Sequence, residues 1–174
     1  MSSPNLTDPH DRAVSVRPAT AADLPAVMAV YDDQVRTAIS TFDLEPPPES
    51  VWRQRLEQPE PGDHFLVAEV GGRVVGHARS GGYRPRPAYR HTREVSIYLA
   101  DDGRGRGVGR ALYDELHARM AADDVHAALA VVALPNPASE ALHRALGYER
   151  VGVLAEVGHK LGRWVDTALY QRLL

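Results

Sequence analysis

The chain of 174 residues contains no cysteine. That one absence removes disulfides, thiolate zinc sites, iron–sulfur ligation and a cysteine nucleophile. Whatever chemistry occurs must proceed without a thioester on the enzyme. No apolar run approaches the roughly 20 residues that span a bilayer, and Met1 to Arg12 is too polar to hold the hydrophobic core of a signal peptide. A basic excess is missing as well. Twenty Lys and Arg against 23 Asp and Glu leave a net charge of −3, which argues against a general nucleic-acid binder that must displace counterions from phosphates. The eight histidines are scattered, with no His-x-His or His-Glu-x-x-His spacing, so no metal is expected. What remains is an ordinary soluble composition, 44% hydrophobic and 25% charged, over a length that suits one domain. The expectation is a cytoplasmic protein with a loose tail at 1–12 and a single domain over 13–174.

Local patterns predict a mixed α/β (α+β) fold with no internal repeat. Val14 to Arg17 alternates like a short strand and Pro18 ends it. Thr20 and Asp23 have capping-box spacing, and Leu24, Val27, Met28 and Tyr31 recur at helical intervals, which predicts a helix over 21–38. Three consecutive prolines at 46–48 exclude helix and connect to a second one near 50–58. Phe65 to Val70 and Arg73 to Ser80 are strand-like and joined by Gly71-Gly72, a pair that supplies the positive φ of a hairpin turn. A strand over 92–100 puts Val95, Ile97 and Leu99 on one face and Glu94, Ser96 and Tyr98 on the other. Gly103 to Gly109 leads into a helix ending near Ala122. His126 to Leu134 suits a buried parallel strand. Asn136 to Leu146 has Pro137 at the first helical position and Gly147 just past the end. Strands near 148–157 and 164–173 close the chain.

The segment Gly103-Arg104-Gly105-Arg106-Gly107-Val108-Gly109-Arg110 follows a strand and opens a helix. Backbone N–H groups and the helix dipole favour an anion there, glycines let a phosphate approach the amides, and three arginines add charge. On composition alone the plainer alternative is a flexible basic turn. It fits neither the dinucleotide fingerprint G-x-G-x-x-G nor the nucleotide-triphosphate loop, which ends Gly-Lys-Ser/Thr.

Read as Arg104-Gly105-Arg106-Gly107-Val108-Gly109, the turn matches the R/Q-x-x-G-x-G/A signature of the GCN5-related N-acetyltransferases. The chain further resembles the phosphinothricin and methionine sulfoximine N-acetyltransferase group. The resemblance lies in Ile39-Ser40-Thr41-Phe42, in Tyr89 through Glu94 to Tyr98, and in Leu134-Pro135-Asn136. It continues in Leu142-His143-Arg144-Ala145-Leu146-Gly147-Tyr148 and in Gly158-His159-Lys160-Leu161-Gly162-Arg163-Trp164-Val165-Asp166. It implies a twisted, mostly antiparallel central sheet flanked by helices, acetyl-CoA as co-substrate, a small amine acceptor, a detoxifying role and a homodimer.

The resemblance also assigns roles. Glu94 is implied as general base, since an ammonium must lose its proton before it attacks a thioester; by itself, a glutamate near a strand end is often only solvated. His143 shares a polar stripe with Asn136 and Ser139 and is implied as acid, base or substrate donor, with a surface histidine as the plain alternative. Ile97, Tyr98 and Leu99, Arg104, Gly105, Arg106, Gly107, Val108, Gly109 and Arg110, and Asn136 and Ser139 are implied to hold acetyl-CoA; Asn136 is equally a helix cap. Phe42, Arg84, Arg86 and Tyr89 are implied to line the acceptor site. Arginine forks there suit carboxylates and phosphinates, although an exposed charged loop would look the same. Pro85, Pro87 and Arg93 depart from the family pattern and bear on substrate identity. The competing readings are the same fold with another acceptor amine, and a non-catalytic acyl-CoA sensor.

Overall fold

The computed structural model describes residues 13–174; the tail expected at 1–12 lies outside the described residues. The elements in chain order are β1 (Val14–Pro18), α1 (Leu24–Thr37), α2 (Glu49–Glu57), β2 (Phe65–Val70), β3 (Arg73–Gly82), β4 (Thr92–Leu99), α3 (Val108–Ala122), β5 (Ala127–Ala133), α4 (Pro137–Ala145), β6 (Glu149–Lys160) and β7 (Arg163–Leu173). The seven strands form one sheet in the order β1-β2-β3-β4-β5-β7-β6. Every neighbouring pair is antiparallel except β4 with β5. No described helix is long and apolar enough to cross a membrane.

The first turn is held by charge. Thr20 is the N-cap, and its backbone N–H donates to Asp23 at 2.7 Å. Arg17 of β1 donates to both Asp23 oxygens at 2.8 Å and to Glu69 of β2, so the Asp23 carboxyl sits well below the usual range. Residues Ala21–Asp23 form a 3-10 turn, and the α-helix proper starts at Leu24, later than the spacing predicts. Pro25 in the first α-turn is the reason: it has no N–H to extend the ladder back into Ala21.

The two faces of the sheet carry separate cores. Helix α3 buries Leu112, Leu116 and Met120 against Val95, Ala128 and Tyr170 on one face. On the other, α1 and α2 bury Leu24, Val27, Val35 and Trp52 against Phe65 and Val67. Within this second core, Trp52 makes edge contacts with Tyr31 (5.0 Å) and His77 (5.7 Å).

Two differences from the sequence reading, and the setting of one unusual residue, have local causes. β5 pairs parallel with β4 and is mostly buried, as expected, but the parallel ladder spans only three residues while the antiparallel one to β7 spans all seven, and Val131 is exposed. β6 and β7 extend to Lys160 and Arg163 because Leu161 and Gly162 both take positive φ, 51° and 73°, and make a tight hairpin turn with a leucine where glycine or asparagine is usual. Arg93, which departs from the family pattern, is buried at 4% exposure, where its Nε meets Asp63 at 3.1 Å and its guanidinium donates to the Pro61 carbonyl.

Buried histidines set an acid limit on stability. Burial lowers the pKa of His77 to about 3 and of His117 to about 4, and lowers that of His143 as well. Unfolding frees all three to take protons near pH 6.5. Their contribution is therefore unaffected above that pH and turns destabilising as pH falls below it, for His77 and His117 down to about pH 4 at roughly 1 kcal/mol per pH unit each. Both ring nitrogens of His77 lack a hydrogen-bond partner among the described residues. His77→Leu is expected to reduce the dependence of Tm on pH between 7 and 5; an unchanged slope would place the acid sensitivity elsewhere.

Candidate functional site

The ladder between β4 and β5 is short. Thr92, Arg93 and Glu94 pair with Ala127, Ala128 and Leu129, and there the pairing stops. β4 continues on β3 as far as Leu99, and β5 continues on β7 as far as Ala133. Beyond Glu94 the two strands part, so main-chain groups of 95–99 on the β5 side and of 130–133 on the β4 side have no strand partner. Such edges need hydrogen bonds from elsewhere, and an extended polar ligand supplies them. Ile97, Tyr98 and Leu99 lie on this free edge.

The mouth of the opening is the glycine-rich turn. After a 3-10 turn at Asp101–Gly103, Gly105 and Gly107 take φ of 71° and 78°, and a Cβ at either would point into open space. Gly107 caps α3, whose first free amides follow it. Positive φ and bare amides at a helix start make a cradle that a phosphate fits. Arg104 and Arg106 are exposed beside it. Val108 is buried in the core, so it offers a ligand only its backbone. Gly109 packs toward α4, where a Cβ would lie 3.1 Å from Leu142. Arg110 donates to the Ala145 carbonyl at 3.3 Å and ties α3 to the end of α4.

Helix α4 borders the other side. Asn136 caps it by accepting from the Ser139 N–H at 3.2 Å, so the helix-cap reading is observed. The polar stripe, however, turns inward. His143 is 2% exposed and stands among Tyr113, Tyr148 and Tyr170. Its Nδ1–H donates to the Ser139 carbonyl at 2.8 Å, which leaves Nε2 to accept from the Tyr113 hydroxyl at 3.2 Å. Burial favours the neutral imidazole. The plain alternative of a surface histidine is thus corrected: helical spacing shows which residues share a stripe but not which stripe is buried.

Glu94 lies on the opposite face of the sheet from His143. It is exposed, opposite Gly81 of β3, and aligned with Ser96 and Tyr98. The connector between α1 and α2 closes on this face. Tyr98 donates to the Ser40 carbonyl at 3.5 Å and stacks edge-on with Tyr31, centroids 4.7 Å apart. Tyr31 donates to Asp43 at 2.7 Å and meets the Thr41 hydroxyl at 2.6 Å. Phe42 rests on β6 so closely that a Cβ at Gly158 would overlap its ring, which is why glycine stands there. Lys160, buried, donates to the Thr41 carbonyl at 2.7 Å and pins the same connector to the β6–β7 hairpin. Composition and spacing did not single out Lys160. Strands expected to end at 157 and to resume at 164 left it in a connection, whereas the turn at Leu161-Gly162 puts it at the end of β6.

Arg84, Arg86 and Tyr89 lie together in the segment before β4. They line a cavity of about 280 Å³ with Pro85, and a 3-10 turn at Pro87–Tyr89 shapes it. Tyr83 meets Tyr89 edge-on, and the Arg84 guanidinium lies 5.1 Å over the Tyr83 ring. The structure thus gathers the free edge, the cradle and the start of α4 at one opening, and brings Glu94, Tyr98 and the Phe42 connector to the face beyond it.

Comparison with known proteins agrees with this geometry. Residues 27–148 match the model of the Acetyltransferase (GNAT) family. The chain is 43% identical to phosphinothricin N-acetyltransferase of Alcaligenes faecalis, over 93% of this chain and 83% of that protein. It is 38% identical to the L-methionine sulfoximine/L-methionine sulfone acetyltransferase of Pseudomonas aeruginosa, over 91% and 94%. Its fold superposes with a TM-score of 0.88 on a phosphinothricin acetyltransferase from Sinorhizobium meliloti solved with AcCoA, at 39% identity, covering 92% of this chain and 88% of that one. On sequence, fold and the architecture of its cleft together, the chain belongs to the acetyltransferase (GNAT) family.

Proposed function

We propose that the protein transfers the acetyl group of acetyl-CoA to the amine of a small amino-acid-like acceptor of the phosphinothricin, methionine sulfoximine or methionine sulfone type. The observation that carries this reading is the parting of β4 and β5 directly beyond Glu94, with the Gly105–Gly107 cradle at its mouth. Gly105 to Arg110 would hold the phosphates of acetyl-CoA, and the free edge at 97–99 would hold its amide-bearing arm. Asn136 and Ser139 border that arm at the start of α4. The co-substrate supplies an activated acetyl thioester.

Glu94 is the general base in this reading. An exposed carboxylate at the apex of the opening receives the proton of the acceptor ammonium, directly or through a water, and leaves the nitrogen lone pair free. Arg84 and Arg86 attract the acceptor's acidic groups, and Tyr89 and Phe42 bound the space around it. His143, neutral and bonded on both nitrogens, orients Tyr113 and the first turns of α4. A homodimer belongs to the same reading; the exposed Val151, Val153, Val157 and Trp164 of the β6–β7 hairpin give it an apolar surface to cover.

The test is release of free CoA against phosphinothricin, methionine sulfoximine, methionine sulfone, the common amino acids, spermidine and an aminoglycoside. Selective turnover of the first three is expected. Polycations should be poor, since Arg84, Arg86 and Arg90 repel them. Binding of acetyl-CoA with turnover of none would instead favour a sensor.

A further inference from the structure

A second cavity, of about 360 Å³, opens between α2 and the ends of β2 and β3. Its walls include Arg55, Asp63, His64, Arg79, Ser80 and Arg119. Most of these charges are already matched. Asp63 meets Arg93 at 3.1 Å, His64 meets Asp123 at 3.1 Å, and Arg119 meets Glu115 at 2.7 Å. Arg55 and Arg79 are the exceptions. Both are half-buried, and neither takes part in any ion pair found among the described residues. Burial and the charge of Arg79 both act against the Arg55 cation.

Their position is specific. Arg79 on β3 is the cross-strand partner of Ser96, and Gly81, two residues on, is the partner of Glu94. Paired residues share a face, so Arg79 stands on the face that carries Glu94. Its guanidinium reaches along the strand: Nη1 lies 3.3 Å from where a Cβ at Gly81 would be. The missing side chain leaves that approach open. Arg55 comes from α2, which packs on the same face, and its guanidinium lies 4.8 Å over the Trp52 ring, so it is held in place. Asp63, the carboxylate in the same wall, is engaged by Arg93, so two half-buried guanidinium groups face the cavity with no ion-pair partner of their own, an arrangement that favours an anion between them.

The geometry points to Arg55 and Arg79 as a subsite for a distal anionic group of the acceptor, a carboxylate, phosphinate or phosphonate carried on the side chain of the amino acid that Glu94 deprotonates. This rests on the acetyl-transfer reading and deepens it. The subsite makes the enzyme prefer amino acids bearing a second negative group over isosteres whose distal group is polar but neutral.

The experiment compares 2-amino-4-phosphonobutyrate with methionine sulfone in the unmodified protein, Arg55→Gln and Arg79→Gln. Each substitution is expected to lower kcat/KM for the phosphonate at least tenfold, through KM, and to leave methionine sulfone within about twofold. Equal losses on both acceptors, or none, would overturn the subsite. A readout without turnover keeps the two readings apart. At constant ionic strength, inorganic phosphate should raise Tm of the unmodified protein more than that of the double variant R55Q/R79Q. A larger rise in the unmodified protein supports the subsite even if no acceptor is acetylated. Equal rises would place phosphate binding elsewhere, such as the glycine turn, and overturn it.

Discussion

Glu94→Gln should lower turnover of an accepted amine by roughly 10² to 10⁴-fold near neutral pH, the range expected when a positioned base is removed. Acetyl-CoA affinity should stay within about twofold, because the cradle and the free edge lie beyond Glu94 along the opening and do not use its carboxylate. The exchange keeps size and hydrogen-bonding shape, and the residue is exposed, so the fold should survive it. The residual rate has a diagnostic pH dependence. Without a base, only acceptor already deprotonated in solution reacts, so the rate should climb about tenfold per pH unit until the amine itself has titrated. Turnover within about threefold of the unmodified protein, at a flat pH profile, would remove Glu94 from the chemistry.

Trp52→Ala should be the most damaging single truncation in the core of the α1–α2 face. The side chain is fully buried, and it joins Tyr31, Phe65 and His77 in one aromatic cluster. Removing it forfeits the transfer free energy of the indole and leaves a cavity that rigid rings cannot fill, a loss of about 3–5 kcal/mol. Against a total of roughly 5–15 kcal/mol, that is a large share of the stability. Urea unfolding should show a lower midpoint at an unchanged slope. Trp52→Phe should recover more than half of the loss. A midpoint shift in Trp52→Ala smaller than that of a surface substitution would mean that the cluster repacks and the tryptophan is dispensable.

Much of this protein could be read from local chemistry. Gly71-Gly72 between two alternating runs forecasts the β2–β3 hairpin, and Asn136-Pro137 forecasts the start of α4, because caps and turns are set by one or two residues. The cradle was legible for the same reason: glycines after a strand and before a helix leave amides free for an anion, although a plain basic turn has the same composition. What escaped are features made by pairing over distance. Nothing in the sequence of β4 or β5 says that their ladder ends at Glu94 and Leu129; that follows from the separate demands of β3 and β7 on the two strands. The inward turn of His143 depended on Tyr113 of α3, Tyr170 of β7 and Tyr148 in the connection before β6. Lys160 was hidden because a leucine at positive φ continues the hairpin where composition suggests its end. The distinction between Arg79 and the chain's other arginines is likewise a matter of strand register, which the alternation of β3 alone does not fix.

The short ladder has a mechanical meaning. The sheet amounts to two blades, β1 to β4 and β5 with β7 and β6, hinged on the three residue pairs that begin at Thr92 and Ala127. A molecule lying between the blades bonds to both and stiffens the joint. Occupancy should therefore be sensed throughout the protein, as slower amide exchange along both inner edges and as resistance to splitting of the sheet. In the proposed function, the same three pairs that leave room for the co-substrate are the joint through which its binding is felt.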